Sequence, residues 1–78
     1  MKIEFRLYAS LSAYMPETNS TDATIDIEEG TRIKELLDKF NVPADSVKII
    51  FLNGVHAKGN EILQDGDRLG VFPPIAGG

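Results

Sequence analysis

Cysteine is absent from this chain of 78 residues. Without thiols, the protein has no disulfide framework, no thiolate nucleophile and no cysteine-based metal site. The absence fits a reducing compartment, and we expect a cytoplasmic protein. A domain of this length buries only a little over ~60% of its unfolded surface. It therefore supports one modest core, but hardly a deep catalytic cavity as well.

Positive charge and long apolar segments are also scarce. The chain has 8 lysine and arginine residues against 12 aspartate and glutamate residues, so its net charge is −4 at pH 7. Binding to a nucleic-acid duplex needs clustered basic residues, so we expect no nucleic-acid partner. No apolar run approaches the ~20 residues of a membrane-spanning helix. Glu4 and Arg6 also interrupt the region where a signal peptide would be apolar. We therefore expect no membrane partner.

Alternating apolar residues predict strands near both ends of the chain. Ile3, Phe5 and Leu7 alternate with charged residues, which is the period of a half-buried strand. Residues 23–28 alternate again, with Ile25 and Ile27 on one face. The last strand is predicted over residues 68–72, with Leu69 and Val71 inside. Between the first two strands, residues 9–15 favour a short helical turn, and the polar residues 17–22 a loop.

The middle of the chain predicts one helix and one hairpin. Four apolar residues recur at the spacing of a helix face: Ile33, Leu36, Leu37 and Phe40. Thr31 is the predicted N-cap, and Asn41-Val42-Pro43 ends the helix. Residues 47–52 are nearly all apolar, which predicts a strand buried on both faces. Asn53-Gly54 then predicts a hairpin turn into residues 55–57.

This order of elements predicts an α+β domain, with one main helix packed on one face of a small mixed sheet. Residues 25–52 would form a right-handed strand–helix–strand crossover. No second helix is predicted to cover the other face of the sheet. That face is therefore expected to be either polar or a docking surface.

No group of residues predicts a self-contained active site. His56, the only histidine, lies just past the hairpin turn and is expected to be solvated. Asp65 and Asp67 flank Gly66 and suit a turn better than a calcium loop, which needs more oxygen ligands. The serines lack a base at fixed spacing. The sequence favours a carrier or binding module over an enzyme, with no bound cofactor and no metal.

The last residues are the most informative about function. The chain ends on Gly77-Gly78, preceded by Phe72-Pro73-Pro74-Ile75-Ala76. At average glycine usage of about 7%, two glycines would end a chain by chance in roughly 0.5% of cases. Glycine has no Cβ and can thread a narrow channel. We predict a folded domain over residues 1–72 and a flexible tail over residues 73–78, whose terminal carboxylate is a chemical handle.

The C-terminal third also carries a family resemblance. Residues 63–78, LQDGDRLGVFPPIAGG, closely resemble the end of the molybdopterin synthase small subunits, which are ubiquitin-like β-grasp sulfur carriers of the MoaD/ThiS type. Phe-Pro-Pro before Ala-Gly-Gly is the specific part, and residues 5–11, 29–37 and 53–54 are similar more weakly. The resemblance implies a β-grasp fold, with a mixed sheet of four to five strands and one main helix.

The resemblance further implies a role as a non-catalytic sulfur carrier in molybdenum cofactor biosynthesis. An E1-like adenylyltransferase would use ATP to activate the Gly78 carboxylate, and a sulfur donor protein would convert it to a thiocarboxylate. The tail residues Pro73, Pro74, Ile75, Ala76 and Gly77 would enter the large subunit of the synthase, where sulfur builds the molybdopterin dithiolene. Phe72 is predicted to be either the partner anchor at the base of the tail or the last core residue of its strand.

The sequence leaves three other functions open. The chain could carry sulfur for another pathway, such as thiazole synthesis or tRNA thiolation. It could be a ubiquitin-like modifier that is joined to target lysines through Gly78. It could also be a β-grasp interaction domain whose tail is inert.

Overall fold

The last strand of the chain lies at the centre of a five-stranded sheet. The computed structural model describes residues 1–15 and 23–74. The strands are β1 (Lys2–Leu7), β2 (Thr24–Asp26), β3 (Ile49–Leu52), β4 (Val55–Ala57) and β5 (Arg68–Phe72). The helix α1 spans Ile33–Lys39, and two 3₁₀ helices span Ala9–Tyr14 and Ala44–Ser46. This confirms the predicted α+β class and β-grasp fold.

The order of the strands is β2-β1-β5-β3-β4. β1 and β5 are parallel, whereas the β1–β2, β3–β5 and β3–β4 pairs are antiparallel. β2 and β3 therefore run in the same direction, and the β1–β5 pair lies between them. The chain connects β2 to β3 through α1, which is the predicted strand–helix–strand arrangement.

The core lies between α1 and one face of the sheet. Its most buried members include Phe5 and Val71, both at 0% exposure, and Leu36 at 1%. The predicted apolar face of the helix is confirmed, because Ile33, Leu36 and Leu37 are all buried. Phe40 is half-buried and stacks on Phe5, with 5.5 Å between the ring centroids.

The start of α1 differs from the prediction. Its N-cap is Arg32 rather than Thr31, whose hydroxyl instead donates to the Glu28 carbonyl at 2.6 Å. With the cap one residue later, Glu35 takes the third helical position and its carboxylate accepts from the Arg32 backbone N–H at 2.9 Å. An arginine side chain has no acceptor, so only this half of a capping box forms. The predicted end is confirmed, since Asn41 adopts a left-handed φ of 63°.

The prediction that residues 47–52 form a strand buried on both faces was wrong. β3 begins only at Ile49, and Phe51 is 37% exposed, whereas Ile50 is buried. Ile50 points toward the side of the sheet on which α1 packs, and Phe51 points toward the opposite side, where it stays partly exposed. Successive side chains of this apolar strand therefore differ strongly in exposure. β2 is likewise shorter than the predicted residues 23–28, although Ile27 is buried as expected.

The predicted turns are confirmed. Asn53 and Gly54 have φ values of 55° and 82°, as the tight hairpin between β3 and β4 requires. Asp65 Oδ1 accepts from the Lys2 backbone N–H at 2.8 Å. Asp67 Oδ2 accepts from the Gln64 backbone N–H, and its Oδ1 accepts from the Asn53 side-chain amide. The two carboxylates therefore fasten the last turn to β1 and to the hairpin.

The segment between β4 and β5 is fastened to the start of α1 by backbone hydrogen bonds. The first helical N–H groups, those of Ile33 and Lys34, donate to the carbonyls of Glu61 and Gly59 at 3.1 and 2.8 Å. The Glu61 side chain closes the segment on itself, because its oxygens accept from the backbone N–H groups of Lys58 and Gly59 at 2.8 and 2.7 Å. These two hydrogen bonds lower the pKa of Glu61 from its ordinary value of 4.5, and the bond from Lys58 has the larger effect.

The lowered pKa of Glu61 predicts a pH-dependent effect on stability. The ionised form is favoured by folding, so its contribution is present above pH 4.5 and is lost as pH falls through the lower pKa of the folded state. We expect Glu61→Gln to lower the urea midpoint at neutral pH, since one amide oxygen replaces two acceptors. The difference from wild type should shrink in acid. Urea titrations of both proteins over an acidic pH series measure it, and a gap that widens as pH falls would contradict the assignment.

Candidate functional site

The face of the sheet opposite α1 forms a shallow groove, which we call the open face. Its volume is about 300 Å³. Its lining residues come from β1, β3, β5 and the segments beside them: Glu4, Arg6, Tyr8, Phe51, Gly54, Arg68, Leu69, Gly70 and Phe72. A small-molecule site is a concave pocket of about 300–1,000 Å³ that encloses its ligand. This groove is at the lower end of that range and lies open on one face of the sheet, which suits contact with another protein better.

Three of the nine residues that line the open face are aromatic. Tyr8 and Phe72 stack with ring centroids 4.3 Å apart and an interplanar angle of 2°. Phe51 meets Phe72 edge-on, at 5.9 Å and 86°. Tyr8 and Phe51 remain 38% and 37% exposed. Exposed aromatic side chains that hold one another in place are favoured anchors for protein docking, because they bury large areas at little cost in side-chain entropy.

Gly70 makes room for the Tyr8–Phe72 stack. A Cβ added at Gly70 would lie 3.3 Å from Cε2 of Tyr8 and 3.8 Å from Cε1 of Phe72. The first distance is tighter than ordinary van der Waals contact, so a side chain here would push the tyrosine ring away. The φ of Gly70 lies outside the left-handed region, so its backbone conformation does not require glycine. The glycine is needed instead because the two aromatic rings approach it closely.

Three further residues of the open face are charged. Arg6 Nε lies 3.2 Å from Glu4 Oε2, and both side chains are more than a third exposed, so this ion pair contributes only about 0–1 kcal/mol to stability. Arg68 is exposed and lies next to Glu4 in the register of β1 and β5. Charges at the rim of an aromatic patch orient a partner more than they hold it.

The C-terminal segment leaves from the end of β5, the central strand of the sheet. Phe72 pairs with Ile49 of β3, and its carbonyl accepts from the Lys48 backbone N–H at 2.9 Å. Val71 points into the core, whereas Phe72 lies half-buried on the open face. Pro73 is half-buried and Pro74 is exposed. The root of the predicted tail is therefore held by pairing with Ile49 of β3 and by the hydrogen bond from Lys48, directly before that strand.

The remaining tail residues, Ile75, Ala76, Gly77 and Gly78, lie outside the described residues. Their predicted roles, and the division of the chain at residue 72, stay predictions. Of the two predicted positions for Phe72, the open face is the observed one, and its role in binding also stays a prediction.

The other residues singled out in the sequence, His56, Asp65 and Asp67, do not line the open face. His56 is exposed on β4, opposite Phe51, with their rings 5.9 Å apart. Within residues 1–15 and 23–74, no three histidine, aspartate or glutamate side chains cluster closely enough to hold a metal. No helix in the described ranges is long and apolar enough to cross a membrane.

Sequence reasoning missed Tyr8 and Gly70. The signal for Tyr8 was present, because Lys2, Glu4, Arg6 and Tyr8 continue one alternation on the face opposite Ile3, Phe5 and Leu7. Gly70 likewise alternates with Leu69 and Val71, which places it opposite the core. What the alternation could not show is that β1 and β5 are neighbours in register, which brings Tyr8 over Gly70 and Phe72.

Fold and site together define a β-grasp domain with a partly exposed aromatic cluster beside the end of β5. The chain belongs to the ThiS family, whose model matches residues 10–78. This confirms the predicted membership of the ubiquitin-like sulfur carrier family. Members of this family are small non-catalytic proteins that generally work with a large subunit and an E1-like activating enzyme.

Solved structures agree on the fold. SAMP1 from Haloferax volcanii is similar with a TM-score of 0.71 and 22% identity, over 100% of both chains. A putative molybdopterin converting factor, subunit 1, from Pyrococcus furiosus is similar with a TM-score of 0.67 and 24% identity, over 95% of this chain and 98% of that one. No curated protein matches the chain in a sequence comparison.

Proposed function

We propose that this protein carries sulfur as a thiocarboxylate on Gly78 for the synthesis of the molybdopterin dithiolene. The observation that carries the proposal is the family match, which runs through Phe72-Pro73-Pro74-Ile75-Ala76 to Gly77-Gly78. The aromatic open face lies at the root of that segment. In this role the protein supplies the acyl group and the docking surface, and catalysis lies in its partners.

The chemistry needs only the terminal carboxylate of this chain. Its oxygen attacks the α-phosphorus of ATP in the activating enzyme, which forms an acyl-adenylate and releases pyrophosphate. A persulfide sulfur of a donor protein then attacks the acyl carbon and AMP leaves. A thiol reductant cleaves the resulting acyl disulfide, which leaves a thiocarboxylate. After its sulfur attacks the pterin precursor, water cleaves the acyl–sulfur bond and restores the carboxylate.

The length of the tail determines how far Gly78 can extend into a partner, and the sheet fixes the point from which the tail starts. Six residues, 73–78, span at most roughly 20 Å when extended. Pro73 and Pro74 restrict the start of that segment and lower the entropy lost when a partner binds it. Because the Phe72 carbonyl accepts a hydrogen bond from the backbone N–H of Lys48, directly before β3, the segment starts from a fixed point beside the aromatic cluster. A partner that grips the open face can therefore receive Gly78 in a defined channel.

Phe72→Ala should weaken binding to both the synthase large subunit and the activating enzyme. Phe72 contacts both other aromatic rings of the open face, so its loss removes a packed anchor. We expect a loss of about 2 kcal/mol, roughly 30-fold in Kd, for each complex. Isothermal titration calorimetry measures it. Ile62→Ala is the control, since Ile62 is 49% exposed and lies outside the open face. Wild-type affinity of Phe72→Ala for both partners would place the interface elsewhere.

A second candidate function is conjugation of Gly78 to lysines of target proteins. It is favoured by the similarity to SAMP1, which a second solved structure describes as small archaeal modifier protein 1, with a TM-score of 0.68 and 21% identity. Both functions begin with the same acyl-adenylate, and they differ in whether sulfur or a lysine amine receives the acyl group. A ladder of high-mass conjugates that disappears when Gly78 is deleted would support the modifier function.

The proposed function is tested by supplying the protein with ATP, its activating enzyme and a sulfur donor, and measuring intact mass. Replacement of one oxygen by sulfur at the C-terminus is the expected result. The loaded protein should then support dithiolene formation when it is mixed with a synthase large subunit and the pterin precursor. A loaded protein that supplies sulfur only to thiazole or to tRNA would assign the carrier to another pathway.

A further inference from the structure

A second groove lies on the helix side of the sheet, away from the open face. Three lysines line it from three separate segments: Lys34 on α1, Lys48 directly before β3, and Lys58 directly after β4. We call it the basic groove. Its volume is about 290 Å³. The fold thus brings together three cations that are far apart in the sequence.

This concentration of positive charge runs against the composition of the chain. The net charge is −4, yet three of the five lysines line this one groove. Asp38 is the one carboxylate among the lining residues. In the part of the chain that the structure describes, the three lysines form no ion pair, and the pair that does form is Arg6–Glu4. Three lysines without an ion-pair partner in one groove of an acidic protein offer a complementary site to an acidic partner.

The surface between the lysines is apolar. Ala44 is exposed and Val47 is half-buried, and both line the groove. Behind them, Val42 and Ile50 are buried and close the floor. An aliphatic side chain of a ligand can rest on Ala44 and Val47 and leave its neighbours free to reach the lysines. Inorganic phosphate or a nucleic-acid backbone would make no use of such a floor.

The groove lies along a free edge of the sheet. β4 is the last strand in the order, and the groove is lined by Ala57 of β4 and by Lys58 and Gly59 after it. An edge strand favours an extended ligand that runs alongside it. Two of the lysines have fixed backbones, because the Lys34 N–H donates to the Gly59 carbonyl and the Lys48 N–H to the Phe72 carbonyl.

We propose that the basic groove binds an extended, acidic segment of a partner protein. An aliphatic side chain of that segment lies over Ala44 and Val47, and flanking carboxylates pair with Lys34, Lys48 and Lys58. The groove and the open face lie on opposite sides of β3. A partner held in the basic groove therefore leaves the open face accessible, so that two proteins can bind this small domain at once.

The test uses a fluorescein-labelled peptide with three aspartates on each side of a Val-Leu-Val core, and fluorescence anisotropy as the measurement. We expect it to bind the wild-type protein in low salt and to bind Lys48→Gln/Lys58→Gln about tenfold more weakly. The control, Lys2→Gln/Lys39→Gln, removes the same charge outside the groove and should bind like wild type. Val47→Ser should weaken binding of the peptide with the Val-Leu-Val core and should not change binding of a peptide with a glycine core.

Amide chemical shifts locate the bound peptide on the protein. The peptide should shift the amides of Leu37, Val47 and Ala57, and leave those of Tyr8 and Gly70 unchanged. Urea midpoints check that each variant is folded. Equal weakening by both double variants, shifts centred on the open face, or no binding at all would overturn the proposal. So would inorganic polyphosphate or single-stranded RNA that displaces the peptide at equal charge concentration.

Discussion

Removing Gly78 is expected to abolish ATP-dependent adenylation and all sulfur transfer while leaving the fold unchanged. The acyl group that is activated belongs to Gly78, and the chain has no cysteine that could carry sulfur in its place. Within residues 1–15 and 23–74, β5 ends at Phe72 and its buried residues, Leu69 and Val71, precede that point, so the described core does not include Gly78. Pyrophosphate exchange with the activating enzyme measures the first effect, and the urea midpoint measures the second.

Gly77→Val tests the steric requirement of the tail separately from the need for the terminal acyl group. This variant keeps the terminal carboxylate but adds a β-branched side chain, which occupies a narrow channel and disfavours positive φ. We expect adenylation to fail here as well, with binding through the open face retained. Ile75→Val changes one methylene nearby and serves as the control. Full synthesis of the cofactor by the Gly78 deletion would contradict the carrier role.

Leu36→Ala is expected to have the largest effect on stability. Leu36 is 1% exposed and lies on the face of α1 that packs against the sheet. Truncating a buried leucine costs about 2–5 kcal/mol, through lost transfer free energy and the cavity that remains. That is a large part of the roughly 5–15 kcal/mol by which small domains are stable. Urea unfolding measures the loss, and Ile62→Ala, at an exposed position, should change the midpoint little. Equal midpoints for Leu36→Ala and wild type would show that the helix face is assigned wrongly.

Much of this fold could be predicted because local patterns and packing agree. The alternation in β1 and β5, the helical spacing of Ile33, Leu36 and Leu37, and the Asn53-Gly54 turn each specify one local structure. The prediction failed where one pattern fits two environments. An apolar run such as residues 47–52 suits a strand buried on both faces, and equally one that buries Ile50 and leaves Phe51 in an exposed cluster. Only the strand order and the position of α1 on the other face of the sheet decide between them.

The helix start was mispredicted for a similar reason. Thr31 is a good N-cap residue by type, but the chain uses it to close a turn on Glu28. The first helical N–H groups are instead satisfied by carbonyls of residues 59 and 61, which are distant in sequence.

Only part of the candidate site could likewise be predicted from the sequence. The composition of the tail is visible in the sequence, whereas the Tyr8–Phe72 stack and the basic groove depend on contacts between segments far apart in the chain.

The most direct test of sulfur carriage is the intact mass of the protein purified from its own host under conditions that preserve thioesters and thiocarboxylates. The carrier function predicts a population in which one C-terminal oxygen is replaced by sulfur, and fragmentation should place that change on Gly78. The sulfur should be lost when the sample is mixed with a synthase large subunit and the pterin precursor. A protein that carries only an unmodified carboxylate, even when the activating enzyme and the sulfur donor are abundant, would contradict the account.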